Sequence, residues 1–325
     1  MKTLICHPEQ YNWLREFGGS FKGKRVLVTG ATGFVGCHLC DALVSLGAIV
    51  FGASLDNPPE RDLGGIQEMR ADLCQKNDIH EVLGKSKPDL VYHLAGLVDT
   101  RQNQDLVFPT LENNLISTLY LLTQLTETKC RRIVVIGSSE TPEPGTAPNS
   151  PYAASKLAMT AYAEMFHQLF NLPLVIARPH MIYGPRQPKS KLIPYIITSF
   201  QKNIPPMLSS GKRICDPIFI SDFIRALLLM GSQITAVGNT FDIGTGQGVS
   251  IRQIAETIAS LMGVKGDNHW VFEAIPDRYY ETPQIADITN TRAILGWNNL
   301  WTLQEGLRDT IEWYKQEAKI HELSK

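Results

Sequence analysis

A doubly wound, parallel α/β sheet with a smaller, discontinuous C-terminal lobe is the fold class the sequence predicts, and three features predict it. Short runs of Val, Ile and Leu without polar alternation recur through the first half. Amphipathic helical stretches separate them, the alternation that right-handed βαβ units require. After Pro179 the texture changes to Pro- and Gly-rich segments with fewer apolar runs.

Taken in order, residues 1–22 read as an N-terminal extension. Its three-residue apolar stretch before His7 and Pro8 is too short for a signal peptide. Arg25–Thr29 is the first expected buried strand, followed by a helix over Phe34–Leu46 that Gly47 stops. Further strands are expected at Ala48–Ala53, Leu90–Leu94, Arg132–Ile136 and Leu174–Ala177, and a further helix over Leu111–Thr126. Pro, Gly and Lys cluster between Pro185 and Pro194, and Pro205–Pro206 precede Ser209–Gly211. A short strand, Thr240–Ile243, is expected to return to the main sheet. Capping boxes at Ser250/Gln253 and Thr302/Glu305 announce two late helices. The expected organisation is a sheet domain over 23–180, joined by 216–246, and a substrate lobe built from 181–215 and 247–325. The substrate cleft belongs between them, beyond the carboxyl ends of the strands.

Composition excludes several classes. The 325 residues carry 31 Lys and Arg against 32 Asp and Glu, a balance that argues against nucleic acid or an anionic membrane as partner. No apolar run approaches the roughly 20 residues of a membrane span. Six scattered cysteines (Cys6, Cys37, Cys40, Cys74, Cys130, Cys215) suit a reducing cytosol, and the expected location is cytoplasmic. Cys37 and Cys40 have CxxC spacing, but Val35, Leu39, Leu43 and Leu46 mark an amphipathic helix there. No second pair completes a zinc site, so no metal is expected.

The most informative segment runs Val26-Leu-Val-Thr-Gly30-Ala-Thr32-Gly33-Phe34-Val35-Gly36. It follows an apolar strand and opens a helix, the context that makes a glycine motif a dinucleotide loop. Gly30 and Gly33 allow a tight turn against a pyrophosphate, and Gly36 allows close packing of helix on strand. An acid at the end of the second strand would bind the ribose 2′-hydroxyl of NAD. Ser54 stands where that acid is expected, with Asp56 and Arg61 beyond it, which favours NADP and leaves NAD open. Asp72 is a candidate for the adenine or a plain strand-end acid.

Tyr152-Ala-Ala-Ser-Lys156 puts a phenol and an ammonium on one helix face. A free tyrosine, with a pKa near 10, is a poor base at neutral pH. A neighbouring cation and an oxidised nicotinamide favour the phenolate, and Ser138 can donate to the same oxygen.

These segments, with VYHLAG at Val91–Gly96, SSE at Ser138–Glu140, RPHMIYGP at Arg178–Pro185, the stretch from Phe241 and IADITNTRAILGW ending at Trp297, resemble the extended short-chain dehydrogenase/reductases. Among these the likeness is to the NAD-dependent epimerase/dehydratase family that remodels nucleotide sugars. The resemblance runs from about Gly23 to the C-terminus. It implies a Rossmann fold and a homodimer. It implies cofactor contacts from Thr32, Phe34, Val35, Ser54, Asp72, Leu73, Leu94, Ala95, Gly96 and Pro179 besides the glycines, Tyr152 and Lys156. The catalytic residues it implies are Ser138, Tyr152 and Lys156, with Glu140 where dehydratases place a proton-transferring acid. Ser139, Met181, Arg213 and Arg278 are the implied substrate contacts.

Three departures bear on the substrate. Met181 replaces an Asn, and Cys215 an Arg, that hold sugar-nucleotide phosphates in this family; the loop Thr141–Asn149 is short. The expected activity is hydride transfer at C4 of a nucleotide sugar, giving epimerisation, 4-keto reduction or 4,6-dehydration. Alternatives are reduction of a less polar, steroid-like alcohol, and a non-catalytic dinucleotide-binding protein, which the intact Tyr152/Lys156 pair disfavours. His93 and His180 read as strand-end and pocket-wall residues, and Tyr279 and Tyr280 as lobe aromatics.

Overall fold

The computed structural model describes residues 13–56, 65–264, 270–277 and 283–323. The chain opens on α1 (Trp13–Phe17), then runs β1 (Arg25–Thr29), α2 (Phe34–Ser45), β2 (Ile49–Ser54), β3 (Ile66–Arg70), α3 (Lys76–Ser86) and β4 (Leu90–His93). A continuous helical stretch follows: α4 (Val107–Thr110), a π-helical turn over Leu111–Ile116, and α5 (Ser117–Leu125). Then come β5 (Arg132–Ile136), α6 (Pro151–Phe170), β6 (Leu174–Pro179), β7 (Met181–Tyr183) and α7 (Leu192–Gln201). The chain continues through β8 (Ile214–Cys215), β9 (Pro217–Phe219), α8 (Ile220–Ser232), β10 (Thr240–Ile243) and β11 (Val249–Ser250). It closes with α9 (Ile251–Met262), α10 (Thr289–Leu295) and α11 (Leu303–Leu323).

One seven-stranded sheet, ordered β10-β6-β5-β4-β1-β2-β3, is parallel throughout. Odd and even residues of its strands feed two separate cores, as strands covered on both faces must. Val26, Val28, Tyr92, Val134 and Val175 face α2 and α8, while Leu27, Val91, Ile133, Val135 and Ile176 face α3, α5 and α6. The strand order reverses between β1 and β4, the crevice where open α/β sheets bind ligands. Beyond it, two small pairings, β7 with β9 and β8 with β11, form a lobe with α7, α9 and α11. Both expected capping boxes form: Gln253 N–H donates to Ser250 Oγ at 3.1 Å, and Glu305 N–H to Thr302 Oγ1 at 3.3 Å.

The differences from expectation are local. The second strand lies one residue later than expected, at Ile49–Ser54, and Leu94 falls just past β4. β3 was not among the expected strands, though Asp72 was read as standing at a strand end: Ile66-Gln-Glu-Met-Arg70 is a mostly exposed edge strand without an apolar run. The expected helix Leu111–Thr126 starts earlier, at Val107, because the π-turn joins α4 to α5. Among the described residues no helix is long and apolar enough to cross a membrane.

Candidate active site

The glycine loop bends at Gly30, whose φ of +67° is left-handed. A Cβ there would come within 2.9 Å of the Ala95 backbone nitrogen, so only glycine fits between loop and β4 exit. At Gly36 a Cβ would meet the Gly30 carbonyl at 2.1 Å, which is the close packing of helix on strand expected there. Gly33 differs. It is the N-cap of α2, has no side-chain cap, and its Cβ would meet only the Gly30 carbonyl, at 3.1 Å. The first N–H groups of α2 therefore have no capping oxygen from the N-cap, an arrangement that fits a dinucleotide pyrophosphate.

The neighbouring cofactor candidates assemble around this loop. Thr32 N–H donates to Ser54 Oγ at 3.2 Å, joining the ends of β1 and β2. Ala95 N–H donates to Thr29 Oγ1 at 3.2 Å, which brings Leu94-Ala95-Gly96 against the loop. Phe34 and Val35 open α2, and Leu73 is buried below β3. Asp72 is occupied by its own turn, accepting Cys74 N–H at 2.9 Å. Pro179 ends β6, where its carbonyl accepts Ser139 N–H at 3.1 Å.

The catalytic candidates meet at the end of β5. Pro151 occupies the first turn of α6, and Ser150 Oγ caps it by accepting Ala153 N–H at 3.2 Å. This start fixes Tyr152 and Lys156 on a buried face. Lys156 Nζ donates to the Ile136 carbonyl at 2.8 Å, two residues before Ser138. Ser138 Oγ accepts Glu140 N–H at 3.1 Å, which leaves its own proton for the neighbouring Tyr152. Burial holds the Tyr152 phenol above its ordinary range; the Ser138 bond opposes that shift, and the nearby Glu140 adds to it. Burial brings Lys156 down to about 8. Gly96 packs beside this pair, because a Cβ there would lie 2.7 Å from Asn114 Oδ1 and 3.8 Å from Lys156 Nζ.

Asn114 is a residue that sequence reasoning missed. Fully buried in the π-turn, it accepts Leu97 N–H at 2.8 Å and donates to Ser155 Oγ at 3.0 Å. It thereby fixes the β4 exit against α6. Asp216, also missed, is fully buried and accepts N–H bonds from Thr245, Gly246 and Ala286 at 2.7, 2.8 and 3.2 Å.

On the substrate side, Arg213 is brought in. Its Nη2 lies 3.6 Å from Glu140 Oε1 and donates to Gln284 Oε1 at 3.2 Å, while Gln284 Nε2 donates to the Ser139 carbonyl at 3.4 Å. Both charged side chains are mostly buried, at 19% and 14% exposure. Glu140 follows Ser138 around a turn and not along an extended strand. β5 ends at Ile136, and the segment turns so that Thr141 N–H reaches the Ser138 carbonyl at 3.2 Å. Met181 is half-buried on β7, and Cys215 is turned into the core, donating to the Val249 carbonyl at 3.5 Å. Arg278, Tyr279, Tyr280 and Arg61 lie outside the described residues.

Neither histidine contacts the catalytic hydroxyls. His93 is clamped between Thr29 Oγ1 at 2.8 Å and Thr118 Oγ1 at 2.9 Å, and burial holds it down to about 3, hence neutral. His180 Nε2 faces Asp242 at 3.8 Å, beside the Arg178–Asp242 ion pair. Cys37 and Cys40 are buried on α2, and among the described residues no cluster could hold a metal ion.

Known proteins are similar to this chain over most of its length. A dTDP-glucose 4,6-dehydratase of Neisseria gonorrhoeae is 26% identical over 90% of this chain and 95% of its own length. A UDP-glucose 4-epimerase of Mycolicibacterium smegmatis is 26% identical over 91% of this chain and 100% of its own. The UDP-glucuronic acid 4-epimerase of Bacillus cereus, solved with UDP-glucuronic acid and NAD, superposes with a TM-score of 0.79 at 26% identity, covering 90% and 99% of the two chains. The sequence pattern of the NAD dependent epimerase/dehydratase family matches residues 26–244, which is most of the chain and includes the glycine loop, Ser138, Tyr152 and Lys156. The protein belongs to the NAD-dependent epimerase/dehydratase family.

Proposed function

We propose that the protein holds NAD over the glycine loop and the ends of β2 and β4, and oxidises and re-reduces C4 of a nucleotide-diphosphate sugar. The observation that carries this is the placing of Ser138 beside the buried Tyr152 phenol at the end of β5, with Lys156 one turn further along α6. Gly30, Thr32, Gly33 and Ser54 would hold the dinucleotide, with Leu94, Ala95, Gly96 and Pro179 lining the nicotinamide end. Bound NAD supplies the hydride acceptor and a positively charged ring that favours the Tyr152 phenolate. Tyr152 takes the proton of the C4 hydroxyl as that carbon becomes a ketone, and returns it when the alcohol re-forms. Ser138 donates to the same oxygen, and the Lys156 cation stabilises the phenolate.

NAD is proposed over NADP. The expectation of NADP rested on the missing acid at Ser54, and nothing further supports it. The family description names NAD, and NAD occupies the Bacillus cereus neighbour. Calorimetry checks this: the parent should bind NAD more tightly than NADP, and Ser54→Asp should weaken NADP further while sparing NAD.

Among the three outcomes at C4, epimerisation or keto reduction is favoured over 4,6-dehydration. Dehydration needs a free base to remove the C5 proton, and Glu140, the nearest carboxylate, is paired with Arg213. Incubation with a panel of UDP- and dTDP-hexoses, with and without NADPH, separates the outcomes by mass. Unchanged mass with altered retention is expected; loss of water with solvent deuterium at C5 would establish a dehydratase. The less polar alcohol is not carried forward, since the relatives by name act on nucleotide sugars. A second copy of the chain is the proposed protein partner, packed along α4–α6, and the cytosol the proposed location.

A further inference from the structure

Tyr152 has to lose its proton beside a carboxylate. Glu140 leaves the turn two residues after Ser138, and its charge pushes the phenol further above its ordinary range, in the same direction as burial. Six ionisable groups stand at this end of the sheet besides the phenol. Lys156 follows on α6, donating to the Ile136 carbonyl at 2.8 Å. Glu140 comes from the loop after β5, and Arg213, from the segment entering β8, lies 3.6 Å behind it. At the ends of β6 and β10, Arg178 and Asp242 answer each other at 2.5 Å, with His180 Nε2 3.8 Å from the same carboxylate. The charge that faces Glu140 is therefore that of Arg213.

Arg213 is held for this task. Its guanidinium also donates to Gln284 at 3.2 Å, Gln284 reaches back to the Ser139 carbonyl at 3.4 Å, and the Arg213 carbonyl accepts Ile251 N–H at 3.0 Å. A planar, permanently charged fork suits a site where one arm must hold an amide and the other a carboxylate.

We propose that Arg213 is a positioning residue for Tyr152: it turns the Glu140 carboxylate away and cancels its charge, so the phenol can ionise although an acid stands beside it. This rests on the proposed function only in taking Tyr152 as the proton-transfer group, and it is independent of which sugar binds. It also gives the arginine a duty within the ring-facing part of the site, in place of the substrate contact that the resemblance implied.

The experiment follows Tyr152 ionisation in the NAD-loaded protein by phenolate absorbance, subtracting the same titration of Tyr152→Phe. Arg213→Gln should raise the midpoint by about one pH unit, the size of effect one uncompensated charge at close range produces. Glu140→Gln should lower it, and the double variant should return it to the parent value, a pattern that simple loosening of the loop would not give. Arg213→Lys, keeping the charge without the fork, should fall between parent and Arg213→Gln. An unchanged midpoint in Arg213→Gln, or a double variant that stays with it, overturns the proposal while leaving Tyr152 in its role. A parent protein with no Tyr152-dependent phenolate signal overturns both.

Discussion

Tyr152 and Lys156 are both disfavoured in their charged forms before NAD binds, and both by the same cause, burial. Tyr152→Phe should therefore leave NAD affinity nearly unchanged and lower turnover by about 10²-fold or more, since a positioned acid–base is worth that much. Calorimetry and steady-state rates check the two halves. For Lys156 the folded value of about 8 lies below the 10.5 of a free lysine. Between those limits the unfolded chain binds more protons, so stability rises with pH through that window; below about 8 the cost of the buried cation is fully present. Lys156→Met should accordingly gain its greatest relative melting temperature below pH 8, and the gap to the parent should close toward pH 10. A constant gap would mean that Lys156 is not desolvated. The glycines separate in the same way. Gly33→Val should abolish NAD binding in a folded protein, because its Cβ meets little but open loop space, whereas Gly36→Ala should lower the melting temperature, because its Cβ meets backbone at 2.1 Å.

The helices α4–α6 carry the element-scale prediction. Phe108 is 70% exposed, Leu169 68% and Tyr162 44%, and Val107, Leu157 and Phe170 add to the same pair of helical segments. Apolar surface of this kind on two adjacent helices suits a two-fold copy of itself. Phe108→Glu with Tyr162→Glu should shift sedimentation from dimer to monomer with the fold retained; a parent that already sediments as a monomer would remove the interface. Elements of this sort were unevenly legible in the sequence. Buried parallel strands announce themselves by apolar runs, and β1 and β5 lie where those runs are. β3 did not, because an edge strand with one wet face reads Ile-Gln-Glu-Met-Arg and its pairing with β2 is set by the sheet, not by its own composition. The cofactor loop and the Ser/Tyr/Lys set were legible because their chemistry fixes residue type at short spacing. Arg213, Gln284 and Glu140 were not legible as a network: they sit 144 residues apart at the extremes, and only tertiary docking brings Gln284 to Ser139 and Arg213 to Glu140.

At the scale of the whole molecule, Asp216 is the tie between sheet and lobe. Its carboxylate gathers N–H groups from the loop after β10 and from Ala286, across as many as 70 residues of sequence. Asp216→Ala would orphan these donors at about 1–3 kcal/mol each, so a melting temperature lower by about 5 °C or more is expected. An unchanged transition would show that water replaces the carboxylate freely. The sheet order has a further consequence, for the chain as it leaves the ribosome. β6 is covered on one side by β5 as soon as it emerges, but its other edge waits for β10, whose last residue is Ile243. Throughout the synthesis of β7 to α8, the strand Leu-Val-Ile-Ala-Arg-Pro presents an unpaired row of backbone groups, an open template for another strand. A chain stopped near residue 200 should therefore be recovered in the insoluble fraction, and one carried past β10 with its lobe complete should not.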